Sequence, residues 1–188
     1  MFYAAESFNQ PIGNWNVSSV TTMQYMFFNA NSFNQDISSW NVSNVTTMES
    51  MFYGAAIFDA DISSWNVGNV TRMSSMFGLA KDFNRNINSW DVSNVTTMLR
   101  MFINAEAFNQ DLSSWDVGLV INGENMFSNS ALSTANYDNI LNGWAQLTLS
   151  TGNLFGTGTI PYTAAAATAH NTLTSAPNSW IITDGGQV

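Results

Sequence analysis

Thr21, Thr46, Thr71 and Thr96 recur every 25 residues, and Asn44, Asn69 and Asn94 keep step with them between Ser19 and Leu119. Hydroxyls and amides at one fixed spacing offer a regular array of hydrogen-bonding groups. Such an array suits a ligand that itself repeats, such as a glycan chain or an ice lattice, or a broad protein surface. A small unique substrate needs unlike groups converging in a pocket, which identical rungs do not supply. The Asn column has a second reading, because stacked Asn side chains also satisfy backbone groups inside a repeat stack. A carboxylate column runs alongside: Asp36, Asp61 and Asp111, with Pro11 and Asn86 at the same place in the other copies. Carboxylates at strand spacing would attract Ca²⁺, which takes about six to eight oxygen ligands. Asp and Asn also hydrogen-bond their own backbone in turns, and the tolerance of Pro and Asn favours that role.

Other catalytic chemistry finds little material. His170 is the one histidine of the chain, so a three-His metal site is impossible and a Ser-His-Asp arrangement would depend on this residue. It lies in an Ala-rich stretch, where packing is the expected role. Gly152-x-x-x-Gly156-x-Gly158 lacks the P-loop Lys and follows no βαβ unit, so it is expected to be a loop. Nothing marks out a carboxylate pair for glycoside hydrolysis among thirteen acidic residues. The expectation is a protein that is not an enzyme and that takes no cofactor.

The elements that would position these columns are written in the repeat. Trp15, Trp40, Trp65, Trp90 and Trp115 recur in step, as do Phe8, Phe33, Phe58, Phe83 and Phe108. A fixed period in this range marks stacked strand-helix units of the leucine-rich type. Met23, Met26, Phe27 and Ala30 sit at i, i+3, i+4, i+7, which predicts about two turns of helix in each copy. Trp40, Val42 and Val45 lie in a β-branched, Thr-rich run that predicts a short strand. The segment 33–37 reads as a turn-rich connector. Stacked copies would bury a continuous core, with neighbouring parallel strands about 4.8 Å apart. The Trp column would serve either as core or as a sugar-stacking platform, and its recurrence among Val and Phe favours core. Asn16, Asn41, Asn44, Asn69 and Asn94 open N-x-S/T sequons, a coincidence of the repeat.

After about residue 129 the composition shifts to Ala, Ser, Thr, Asn and Gly. Ser133 reads as an N-cap, with Tyr137, Ile140, Leu141 and Trp144 on one helical face. Thr163 opens a second helix, and Ser179 to Thr183 reads as a final rung before an Asp184-Gly185-Gly186 turn. The expected organisation is a five-copy repeat over 1–128, its first copy incomplete, and a C-terminal capping module over 129–188. Met1 falls on the repeat's own Met position, which is the expectation for a stretch of a longer array. An uncovered N-terminal edge would invite self-association.

Thirteen acidic against four basic residues give a formal charge of −9. That balance argues against nucleic acid and against anionic lipid as partners. With no cysteine there is no disulfide, thiolate metal site or thiol nucleophile. No apolar run approaches the roughly 18 residues of a membrane span, and the first copy shows neither the charged n-region nor the apolar h-region of a signal peptide.

The phrase W-N-V-S-N-V-T-T-M, followed by M-F and closed by F-N-Q-D-I-S-S-W, resembles the BspA-type leucine-rich repeats of bacterial surface proteins and the related mycoplasma lipoprotein repeats. It covers residues 1–127. The resemblance implies an extracellular or cell-surface binding protein, adhesin-like, with no catalytic residues to carry over. The fold class expected is therefore α/β, a leucine-rich-repeat-like solenoid with a parallel sheet. Three functions follow: adhesion to protein or polysaccharide through the strand-side face, with Thr21, Thr46, Thr71, Thr96, Asn44, Asn69 and Asn94 as contacts; a structural stalk; or ice binding by the Thr columns. Arg72 interrupts the second column (Thr22, Thr47, Thr97), and a strongly hydrated side chain would spoil an ice-matching plane.

Overall fold

The computed structural model describes residues 1–188. The chain is α/β, with five elements in the order β1 (Asn122–Gly123), α1 (Thr134–Trp144), β2 (Leu154–Gly156), α2 (Ala167–Thr174) and β3 (Ile181–Thr183). The three strands form one parallel sheet in the order β1-β2-β3. Asn122 pairs with Leu154, and Leu154 with Ile181. All five elements lie after residue 121. Before them, the 25-residue copies stack one on the next through single parallel bridges: Thr22 to Thr47, Thr47 to Arg72, Arg72 to Thr97, and Thr97 to Asn122.

The copies carry neither the predicted helix nor the predicted strand. Over Met23–Ala30 the amides divide their work. Those of Met26, Phe28 and Ala30 close turns onto the carbonyls of Met23, Tyr25 and Phe27. Those of Met23, Tyr25, Phe27 and Asn29 donate to Thr47, Glu49, Met51 and Tyr53 of the next copy, at 2.7–3.0 Å. A helix would need all of them internally. Two residues per copy are also left-handed: Tyr25, Ser50, Ser75, Arg100 and Asn125 in one column, and Ala4, Asn29, Gly54, Leu79, Asn104 and Asn129 in the other. One L-residue in that region ends a right-handed helix. The predicted strand fails for a related reason. Trp40 N–H bonds Ile37 O and Val45 N–H bonds Val42 O, so both are turn residues, and pairing is confined to position 47 and its equivalents.

The apolar spacing still decides what is buried. Met48, Met51, Phe52, Ala55, Phe58 and Ile62 are fully enclosed, and every equivalent in the third and fourth copies is too. Phe27, Phe52, Phe77, Phe102 and Phe127 stack nearly parallel at 5.5–5.8 Å. Trp40 lies 6.5 Å above Trp65 at an interplanar angle of 5°. Each indole also ties two copies together: Trp40, Trp65, Trp90 and Trp115 donate Nε1–H to the carbonyls of Ile12, Ile37, Ile62 and Ile87.

Residues 129–188 sit on the last copy. Ser133 caps α1 by accepting from Asn136 N–H, and the helix buries Tyr137, Ile140, Leu141 and Trp144. Trp144 repeats the indole device on Leu112 O, and Trp180 repeats it on Ser150 O. Phe155 meets Phe127 edge-on at 76°, which ends the parallel Phe column. The second helix begins at Ala167, after a turn that starts at Thr163. The glycine-rich stretch is not simply a loop. β2 runs through it, bracketed by Gly152 and Gly158 at φ of 72° and 76°.

Candidate binding face

Along residues 44–46 the side chains alternate: Val45 is buried while Asn44 and Thr46 point out, and the same holds at 69–71 and 94–96. The Thr and Asn columns therefore lie side by side on one exposed surface. Their geometry follows from the stacking. Thr46, Thr71 and Thr96 each donate backbone N–H to the threonine carbonyl one copy earlier at 2.9 Å. Each Oγ1 donates to that same carbonyl at 3.1 Å. With its proton used, the hydroxyl presents only acceptor lone pairs to solvent. The Asn column is tied in the same way: Asn44, Asn69 and Asn94 donate Nδ2–H to the carbonyls of Ser18, Ser43 and Gly68 at 2.7–2.8 Å. One N–H and the Oδ1 of each remain available. What the surface offers a ligand is thus a row of fixed acceptors beside a row of mixed amide groups.

Beside the Thr column run the bridge residues Thr22, Thr47, Arg72, Thr97 and Asn122. Arg72 leans onto Glu49 at 2.8 Å. The pair is exposed on the Arg side, so its contribution is small.

The Asp column lies on the connector. Oδ1 of Asp36, Asp61 and Asp111 accepts the backbone N–H of Ser38, Ser63 and Ser113 at 2.9–3.0 Å, and Asn86 does the same for Asn88. These are Asx turns. The Ser38 hydroxyl, and after it the Ser38 amide, hold the Asp36 carboxyl below the usual carboxylate range. The Ser63 amide and then its hydroxyl do so for Asp61.

His170 is packed inside the end module. Its ring stacks on Tyr162 at 4.3 Å, and Nε2 lies 3.3 Å from Asp184 Oδ2. The same Oδ2 accepts the Tyr137 hydroxyl at 2.7 Å. Burial, and after it Asp184, pushes the Tyr137 phenol well above its ordinary range. The cluster joins α1, α2 and the turn after β3, and Asp184 is filled from both sides.

Two groups of exposed or half-buried residues escape a reading of the sequence. Tyr3, Phe28 and Tyr53 stack at 4.8 and 5.0 Å, with Tyr25 edge-on to the first two. They occupy positions that vary between copies, and only stacking brings them together. The column stops at Gly78, where a side chain would collide with the Tyr53 ring. The second group is aliphatic: Leu119, Ile121, Leu154 and Ile181 are 52, 62, 36 and 61% exposed. No helix is long and apolar enough to cross a membrane.

The geometry defines a stacked-repeat protein whose outward features are rows of identical groups. A family model matches residues 1–78 and 40–144, more than half of the chain, and the protein belongs to that family, described as Mycoplasma protein of unknown function, DUF285. No curated protein and no solved structure matches it.

Proposed function

We propose that the repeats form a leucine-rich-repeat-like solenoid of the BspA type, and that the chain is a non-catalytic binding module, secreted or displayed on a cell surface. Its strand-side face recognises protein or polysaccharide. The observation that carries this reading is the exposed column of Thr21, Thr46, Thr71 and Thr96, in which the hydroxyls of Thr46, Thr71 and Thr96 are held as acceptors by bonds to the threonine carbonyl one copy earlier. Groups that cannot reorient lose little entropy when a ligand binds, so the row is preorganised. Its flanking Asn column supplies the donors that a hydroxylated or peptidic ligand needs. Membership of a mycoplasma family agrees with the surface placement.

The test immobilises the protein against a panel of polysaccharides and extracellular proteins, with a Thr46→Lys/Thr71→Lys/Thr96→Lys variant beside it after its fold is verified. Saturable binding lost by the variant is the expected result. A folded protein that binds nothing on the panel points instead to a stalk that only spaces other domains. Ice shaping by the parent protein would favour the lattice reading.

A further inference from the structure

The strip formed by the Asn and Thr columns is uniform where other outward positions are not. The turns hold Gln24-Tyr25, Glu49-Ser50, Ser74-Ser75 and Leu99-Arg100, a different pair in every copy. From Asn44 to Thr96 the strip keeps Asn and Thr without change, and the run ends where Leu119 and Ile121 take their places. Burial does not impose this, because the core contact here is made by Val45, Val70 and Val95 while the strip residues on either side are exposed.

Hydrogen bonding, side-chain type and charge together restrict what can lie on the strip. The carbonyls of Thr21, Thr46 and Thr71 each accept both the amide, at 2.9 Å, and the hydroxyl, at 3.1 Å, of the threonine one copy on. Both lone pairs of each carbonyl are then used. A peptide backbone therefore finds no free carbonyl there, and the amides of Thr46, Thr71 and Thr96 are spent as well. The strip positions also hold no aromatic side chain and no Arg, the anchors from which protein interfaces draw most of their energy. Nor do they hold any ionisable group. The cation beside the strip, Arg72, is engaged by Glu49 at 2.8 Å. On the other side the Asp91 carboxylate lies against Gly68, whose carbonyl holds Asn94. An anionic polymer would meet repulsion there and no free countercharge.

We infer that the strip takes an uncharged linear polysaccharide, laid along the stacking axis so that successive sugar rings meet successive rungs. Sugar hydroxyls donate to the Oγ1 lone pairs of Thr46, Thr71 and Thr96 and accept the free Nδ2–H of Asn44, Asn69 and Asn94. Rungs joined by parallel bridges lie about 4.8 Å apart, and an extended chain of pyranose rings advances by a similar distance per ring. Each contact is weak, but identical contacts on one molecule add, because after the first ring binds the others are held close. The inference rests on the reading of the strand side as a binding face and narrows its ligand from protein or polysaccharide to an uncharged polysaccharide.

The probes are oligosaccharides of increasing length cut from a linear glucan, a mannan and a xylan, with oligogalacturonates as the anionic counterpart, titrated into the intact chain by calorimetry. Expected is binding of a neutral series that strengthens with each added ring up to the span from Thr46 to Thr96 and gains little beyond it. The oligogalacturonates should bind weaker by about tenfold or more. Thr46→Val/Thr71→Val/Thr96→Val keeps the side-chain shape and removes the lone pairs, and should weaken the neutral series by about tenfold or more. Thr46→Ser/Thr71→Ser/Thr96→Ser keeps the hydroxyls and should hold that series to within about twofold of the parent. The length series needs no variant, so it decides the matter even where the Val protein does not fold. No binding by any neutral series, affinity independent of length, or equal affinity for oligogalacturonates overturns the inference. An extracellular protein whose binding the Thr46→Lys/Thr71→Lys/Thr96→Lys variant loses, with no neutral sugar bound, leaves the binding face standing and sinks this inference alone. A neutral sugar held as tightly by the Lys and Val variants as by the parent sinks both.

Discussion

Met73, Met76, Phe77 and Ala80 in the third copy and Tyr137, Ile140, Leu141 and Trp144 in the end module bury the same four positions of an i, i+3, i+4, i+7 pattern. The second set lies on an α-helix and the first does not. In the copy, the amides of Met73, Ser75, Phe77 and Leu79 reach forward to Thr97, Leu99, Met101 and Ile103, and Ser75 and Leu79 are left-handed. In the module, α1 begins at a capped Ser133 and keeps its bonds to itself. A partner of identical shape one rung away offers each copy a full set of acceptors at its edge, so satisfying the backbone between copies competes with satisfying it within them. The module faces no such partner. The same apolar code is therefore read two ways, according to where the backbone finds its hydrogen bonds.

The largest effect expected within this contrast is at Trp65. Trp65→Ala removes a ring stacked on Trp40 and an indole bond to Ile37 O, and should cost about 3–5 kcal/mol in chemical denaturation. An unchanged midpoint would put the tryptophans on the surface and revive their use as sugar platforms.

A smaller effect tests the comparison by sign. Ser75→Gly should stabilise by about 0.5–1 kcal/mol, because glycine adopts a φ of 55° without the Cβ penalty. Ala135→Gly, on the exposed side of α1, should destabilise by about the same amount. If both substitutions destabilise, the copy is helical after all and the contrast between the two regions disappears.

The smallest effect is electrostatic. Ser38, Ser63 and Ser93 hold Asp36, Asp61 and Asp91 below the ordinary carboxylate value. A carboxylate that is more acidic folded than unfolded contributes stability above its unfolded pKa, near 3.9, and loses it as pH falls through the folded value. Thermal melts of the repeats should therefore weaken below about pH 4. Replacing the three with Asn, as Asn86 already stands in the Asp36 column, should flatten that decline. An identical acid profile would mean that the turns do not discriminate the charged form.

Much of this was legible in the residues. The period, the buried identity of Met, Phe, Trp and Val, the N-cap at Ser133, the apolar face of α1 and the last rung at Ile181 follow from spacing and residue type. The Asp36 column also behaves as its turn chemistry predicts. The local conformation of each copy was not legible, because Tyr25, Ser50, Ser75 and Arg100 carry no glycine-like mark of a left-handed residue. Nor was the pairing of Leu154 with Ile181, since the two lie far apart along the chain.

By itself the sequence determined periodicity, the content of the core and the place where repetition stops, because burial depends on apolar side chains at fixed intervals. Tertiary structure alone decided which amides bond within a copy and which cross to the next. It alone made the hydroxyls of Thr46, Thr71 and Thr96 acceptors, and it set Leu154 beside Ile181 across the sheet. Each of these depends on what the neighbouring rung presents, and a neighbour exists only once the chain has stacked.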